Sequence, residues 1–247
     1  YANIKHILTF ETICNIILYT MKKLITFFVN DVKISETDNI PEEIEILNFG
    51  TEEPLNGAVK RAKSKYSLIA SGEITCDNLT DFFAELDKIN ADIVSFDNGY
   101  LIKTALIKGV PSRLCFDGYC AEVYAVMDAK SIIKLKTAPF TIKKDRTEYS
   151  KDEAVKITAS LDEFKKVKSK LAKDVYAFAA EIICARLCDF YLSALFAIKD
   201  GKADITEIKE FDLKLKENIV LYLTMEKRFT ALDLKKLRAC GFKIGLW

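Results

Sequence analysis

The residues whose types and spacing could do chemistry are concentrated in the tripeptide Ser71-Gly72-Glu73. It follows the apolar run Tyr66–Ala70 (YSLIA) without a break, and a helical pattern resumes a few residues later. A polar turn directly after a buried strand is where an α/β protein presents groups to a ligand, outside the carboxyl ends of its strands. Glu73 offers a hard anionic oxygen and Ser71 only a neutral hydroxyl. A divalent cation such as Mg²⁺ or Mn²⁺ prefers several oxygen ligands with negative charge among them. The tripeptide therefore has two readings, a residual ligand contact or an ordinary turn before a helix. A second acidic pair, Asp152-Glu153, opens the segment DEAVKI. Either carboxylate could act as a general base toward a hydroxyl. Equally, the pair suits the positive end of a helix dipole.

The rest of the composition removes alternatives. There is one histidine, His6, so Ser-His-Asp and Cys-His mechanisms have almost nothing to use. The seven cysteines (14, 76, 115, 120, 184, 188 and 240) include no CxxC pair, which argues against a zinc site or a disulfide framework. Reduced thiols imply a cytoplasmic setting. Lys and Arg number 37 against 36 Asp and Glu, so no excess of positive charge points to nucleic acid. The chain shows neither a Walker loop nor GxGxxG. Residues 7–20 are apolar but interrupted by Glu11 and Asn15, short of the roughly 20 apolar residues of a membrane span. No transmembrane segment is expected. Residues 1–20 read as an N-terminal extension, helical or disordered.

The elements that must position the acidic groups can be read from periodicity. Lys23–Val29, Glu45–Phe49, Tyr66–Ala70 and Asp92–Phe96 have the β-branched and aromatic character of buried strands. Leu55–Lys65 and Asn78–Lys88 have helical period, the second capped by Thr75 or Asp77. Tyr100–Ile107 and Glu122–Met127 look like strands, and Ala129–Leu135 looks like a short helix. From Leu161 to Ile198 the period is almost continuously helical. Ile205–Leu223 and Leu232–Cys240 add two helices, the latter capped by Thr230 and ended by Gly241. Strands alternating with helices predict a mostly parallel central sheet flanked by helices. The helices after 158 form a C-terminal appendage, with the aromatics Tyr176, Phe178, Phe190 and Tyr191 at packing spacing.

Residues 55–74 resemble the family-2 glycosyltransferases, whose pattern is close to R-N-x-G-I-x-x-A-x-G-x-Y-I-L-F-L-D-x-D-D. Asn56, Val59, Ala62 and Tyr66 fit this pattern, and Ser67–Ala70 fills the strand. Leu55 stands for the arginine, Ala58 and Ser64 for the glycines, and Ser71-Gly72-Glu73-Ile74 falls on D-x-D-D. Asp77-Asn78-Leu79 and Ala91-Asp92-Ile93-Val94 continue the likeness. It covers about 45 residues. The resemblance implies an A-type nucleotide-sugar fold. It implies a nucleotide-sugar site at Asn56, Ser71, Gly72 and Glu73, with Glu73 as the metal candidate. It also implies a late catalytic base at Asp152 or Glu153, and Mg²⁺ or Mn²⁺ as cofactor if the protein is active. Two departures bear on activity. Ser71 replaces the first aspartate. Upstream, no acidic Gly/Ser-rich turn like V-D-D-G-S follows a strand, so the nucleoside half of the pocket is shortened.

The expected organisation is an extension over 1–20, an α/β domain over 21–158 and a helical region over 159–247. The expected function is a glycosyltransferase-like protein, degenerate or weakly active, related to sugar transfer from a nucleotide diphosphate to a saccharide in polysaccharide biosynthesis. The alternative is a non-catalytic binding or assembly module acting through its C-terminal helices, by self-association or with a protein partner.

Overall fold

The computed structural model describes residues 23–30, 41–50, 54–70, 73–76, 79–97, 99–111, 118–136, 140–143, 149–228 and 233–242. In chain order the elements are β1 (Ile25–Asn30), β2 (Ile44–Phe49), α1 (Leu55–Arg61), β3 (Tyr66–Ala70), β4 (Glu73–Cys76), α2 (Leu79–Lys88), β5 (Ile93–Phe96) and β6 (Gly99–Lys103). They continue with α3 (Thr104–Gly109), α4 (Gly118–Met127), β7 (Ile132–Lys134), β8 (Phe140–Lys143) and α5 (Lys151–Val167). The chain closes with α6 (Lys173–Lys199), α7 (Ile205–Lys216), α8 (Ile219–Arg228) and α9 (Leu234–Ala239).

Six strands form one sheet in the order β2-β1-β3-β6-β5-β7. β1 is parallel to β2 and β3, and β5 is parallel to β7, while β6 runs against both of its neighbours. The sheet is thus mostly parallel and flanked by helices, as the alternation of patterns predicts. Its strands are apolar on both faces because both faces are covered. Ile25, Phe27 and Val29 of β1, with Tyr66, Leu68 and Ala70 of β3, pack toward Phe82, Phe83 and Leu86 of α2. Each of those three α2 side chains contributes about 2 kcal/mol by leaving water. Phe28, Ile93 and Ile102 face the other way, onto α1, α3 and α4.

That second apolar cluster does not stop at α4. It takes in Ile157, Leu161 and Phe164 of α5, Ile183, Leu187 and Phe190 of α6, and runs on to Phe242 after α9. Helix α5 passes through residue 158. Among the C-terminal helices, Arg238 lies 3.4 Å from the ring centre of Tyr222 and bonds the carboxylates of Asp212 and Glu226. The Tyr191 hydroxyl donates to the same Asp212.

Several expected elements are corrected. Glu122–Met127 lies in helix α4, not a strand. Cys120, Ala121, Val123, Ala125, Val126 and Met127 are all buried, so the helix has no polar face to reveal its period. Ile132–Lys134, expected within a helix, is a short strand added to the edge of β5. The Tyr100–Ile107 run changes at Thr104 from strand to helix. The expected long helix is two, parted by a 3₁₀ turn at Lys168–Lys170 and extended backbone at Leu171 and Ala172. The Ile205–Leu223 run is also broken, at Asn218, between α7 and α8. Thr75 lies within β4. Asp233 caps α9, its carboxylate accepting from the Lys236 amide. Thr230 and Asp77 lie outside the described residues, as do residues 1–20.

Candidate functional site

The carboxyl ends of β1, β2 and β3 lie side by side. Val29 is level with Ala70, and Asn30 with Phe49. Three connections leave the sheet at this rim, and the one from β3 carries Ser71 and Gly72. The opposite rim is closed by polar stitching. Thr26, Ser64, Ser67 and Thr104 are all buried and hydrogen-bonded in a chain, with contacts of 2.6 Å (Thr26–Ser64), 3.2 Å (Ser64–Thr104) and 2.7 Å (Ser67–Thr104). Tyr66 is fully buried, and its hydroxyl donates to the Ala91 carbonyl at 2.9 Å. Burial, then the neighbouring charge of Asp92, pushes this phenol up to about 12. Ser64 and Tyr66, two positions of the sequence motif, therefore belong to the closed rim and hold β3 in place.

At the open rim, Asn56 is half-buried in the first turn of α1. Leu55, which stands where the family pattern has arginine, is fully buried against the sheet with Ala58 and Val59. Ser71 and Gly72 lie outside the described residues. Glu73 is not in a turn before a helix: its backbone begins β4, which pairs antiparallel with β8, Glu73 opposite Lys143 and Cys76 opposite Phe140. This ribbon ties the exit of β3 to the segment that leads into α5. Helix α4 also starts here. A Cβ at Gly118 would come within 2.5 Å of Ile69 Cγ2 and 3.8 Å of the Phe49 ring, so only glycine lets α4 sit this close to β3.

Asp152 and Glu153 occupy the first turn of α5, which Ser150 caps by accepting from the Glu153 amide at 3.2 Å. Both acids thus lie in the turn where a helix dipole favours negative charge. Their environments differ sharply. Asp152 is exposed. Glu153 is 7% exposed, and Arg186 Nε of α6 donates to its carboxylate at 2.5 Å. The Arg186 guanidinium stands 5.5 Å from the centre of the Tyr119 ring. Ser160 donates to the Tyr119 hydroxyl at 3.3 Å. Burial drives the Tyr119 phenol far above its ordinary value and keeps it protonated. Sequence reading missed Gly118, Tyr119 and Arg186. A glycine opening an otherwise apolar helix was the one available signal.

Metal binding can be judged on the donor set. The exit of β3 supplies a hydroxyl and one carboxylate where a cation on a diphosphate calls for two anions. Among the described residues no three His, Cys, Asp or Glu side chains converge on one point. By sequence, one carboxylate and one hydroxyl are fewer anions than a divalent ion on a diphosphate calls for. A small cavity between α4 and α5 is lined by Cys120, Val123, Tyr124, Met127, Ser160 and Glu163.

No protein-family profile matches the chain, and no curated protein matches it. Among solved structures, the chain is similar to S. aureus TarS, with a TM-score of 0.43 and 12% identity, over 83% of this chain and 55% of that one. The chain thus spans about half the length of TarS. A likeness at this level assigns neither activity nor ligand.

Proposed function

We propose that this is a glycosyltransferase-like protein that receives a nucleotide sugar or a saccharide at the open rim of β1–β3 and turns it over weakly or not at all. One observation carries the reading. The residues that resemble the family-2 motif fall on α1, β3 and the exit of β3, and that exit lies among three parallel strand ends. Ligands bind α/β sheets at such carboxyl ends. The mixed sheet flanked by helices is also the class of fold that the resemblance implies.

The weakness follows from charge. Sugar transfer to a hydroxyl leaves negative charge on the departing nucleotide diphosphate, and catalysis requires that charge to be met. Ser71 brings none of the negative charge of an aspartate, and Leu55 brings no arginine. Of the two candidate bases, Glu153 is committed to Arg186. Asp152 is the one open to water and able to accept a proton from an acceptor hydroxyl.

Calorimetry with UDP- and GDP-sugars, with and without Mn²⁺, tests the proposal. Saturable binding that Mn²⁺ leaves within about threefold, with little sugar release, is expected. Tight Mn²⁺-dependent binding that disappears in Glu73→Ala would make the protein a working transferase. No binding of either class of sugar nucleotide or of saccharide would remove the reading.

A further inference from the structure

The outer surface of the C-terminal helices carries large aliphatic side chains in water. Leu213 of α7 is 65% exposed, and Ile219, Val220 and Leu223 of α8 are 52%, 47% and 48% exposed. On α8 the last three share one face with Lys227, opposite the buried Leu221 and Met225. Two ion pairs place this face in the molecule. The Glu217 carboxylate, two residues before Ile219, is 3.2 Å from Lys214 Nζ and 3.7 Å from Lys165 Nζ. Lys214 also reaches Asp162 at 3.8 Å. The ends of α5 and α7 and the start of α8 thus meet at one shoulder.

The charge on this shoulder is lopsided. Its carboxylates Asp162, Glu163 and Glu217 already have lysine partners. Lys168 lies one turn beyond Lys165, followed by Lys170 and Lys173, with Lys216 and Lys227 on α7 and α8. Among the described residues these five meet no carboxylate within 4.0 Å. Asp174 of α6 and Glu210 of α7 are exposed acids on the same helices, Asp174 accepts from the Val175 amide, and Glu226, next to Lys227, pairs with Arg238.

We propose that this shoulder docks on an anionic lipid bilayer, with Ile219, Val220 and Leu223 entering the headgroup boundary and the lysines facing lipid phosphates. The residue types select this occupant. Protein interfaces favour aromatic residues and arginine and are poor in lysine. Here the exposed apolar groups are aliphatic and the surrounding cations are lysines. That combination suits a helix lying in the membrane surface. No described helix is long and apolar enough to cross a bilayer, so contact is peripheral.

Co-sedimentation of the full chain with vesicles tests this. Vesicles of phosphatidylcholine with roughly 30% phosphatidylglycerol should bind at least tenfold better than phosphatidylcholine alone at 0.1 M salt, given about fivefold per lysine near the surface. Lys168→Gln/Lys170→Gln should lose more than tenfold, and so should Val220→Asp/Leu223→Asp, with unchanged thermal melts. Salt at 0.5 M should weaken binding as the lysine variant does. Equal binding to both vesicle types, or variants that bind like the parent chain, would overturn the proposal. So would a dimer in light scattering that Leu223→Asp converts to monomer without any vesicle binding, which would give the face to a second copy. None of these readouts involves a sugar nucleotide, so the result stands apart from the fate of the open rim.

Discussion

At the scale of single residues, the pair Glu153–Arg186 shows how an acid in a promising position can be spent on structure. Glu153 is almost out of water and held by one guanidinium. Removing only the cation strands a buried carboxylate. Arg186→Ala should cost about 3 kcal/mol in urea denaturation, and Glu153→Gln/Arg186→Met should recover most of it. Gly118 is a sharper case. Gly118→Ala should destabilise by about 1–3 kcal/mol through overpacking, because the new methyl meets Ile69 Cγ2. Adding Ile69→Ala should relieve that clash, leaving only the cost of the lost isoleucine atoms. Asp92 gives a pH signature. Partial burial works against its charge, but bonds from Lys103 Nζ and the Lys130 amide outweigh it and hold the carboxyl below its usual value. A lowered carboxylate stabilises the fold above about pH 4 and loses that contribution as pH falls through the folded-state value. Asp92→Asn should therefore cost about 1 kcal/mol at pH 7, a deficit that vanishes toward pH 2 in acid unfolding curves.

At the scale of elements, what could be read from the sequence depended on whether burial is one-sided. Helix α2 was legible because Phe82, Phe83 and Leu86 alternate with exposed Asp81, Ala84 and Glu85. β3 was legible because five apolar or small residues end abruptly at a polar tripeptide. Helix α4 was not, since its Val-Tyr-Ala-Val run is buried nearly all round, and local propensity then favours the wrong state. The break at Ser169–Ala172 was hidden for another reason. Leu161, Phe164, Val167, Leu171 and Val175 keep helical spacing straight through it, and no Gly or Pro marks the turn. At the candidate site, the end of β3 at Ala70 was legible, but the β4–β8 ribbon was not, because its partner strand lies 64 residues further on at the shortest loop between paired positions, Cys76 to Phe140. The cap of α5 is a local device that can be checked alone. Ser150→Ala should lower stability by about 1 kcal/mol, read from the denaturation midpoint.

At the scale of the whole molecule, one apolar cluster joins the sheet to the C-terminal helices, from Phe28 to Phe242. A fragment of residues 21–150 would expose the face of α4 that α5 and α6 cover. It should lose near-UV circular dichroism and bind hydrophobic dye, whereas the full chain should unfold in one cooperative step. The same geometry has a bearing on synthesis. A ribosome makes Phe28 long before it makes the aromatic residues that complete the far end of that cluster. The nascent chain must carry half-finished oily surface for most of its translation, a span in which chaperone contact is most valuable.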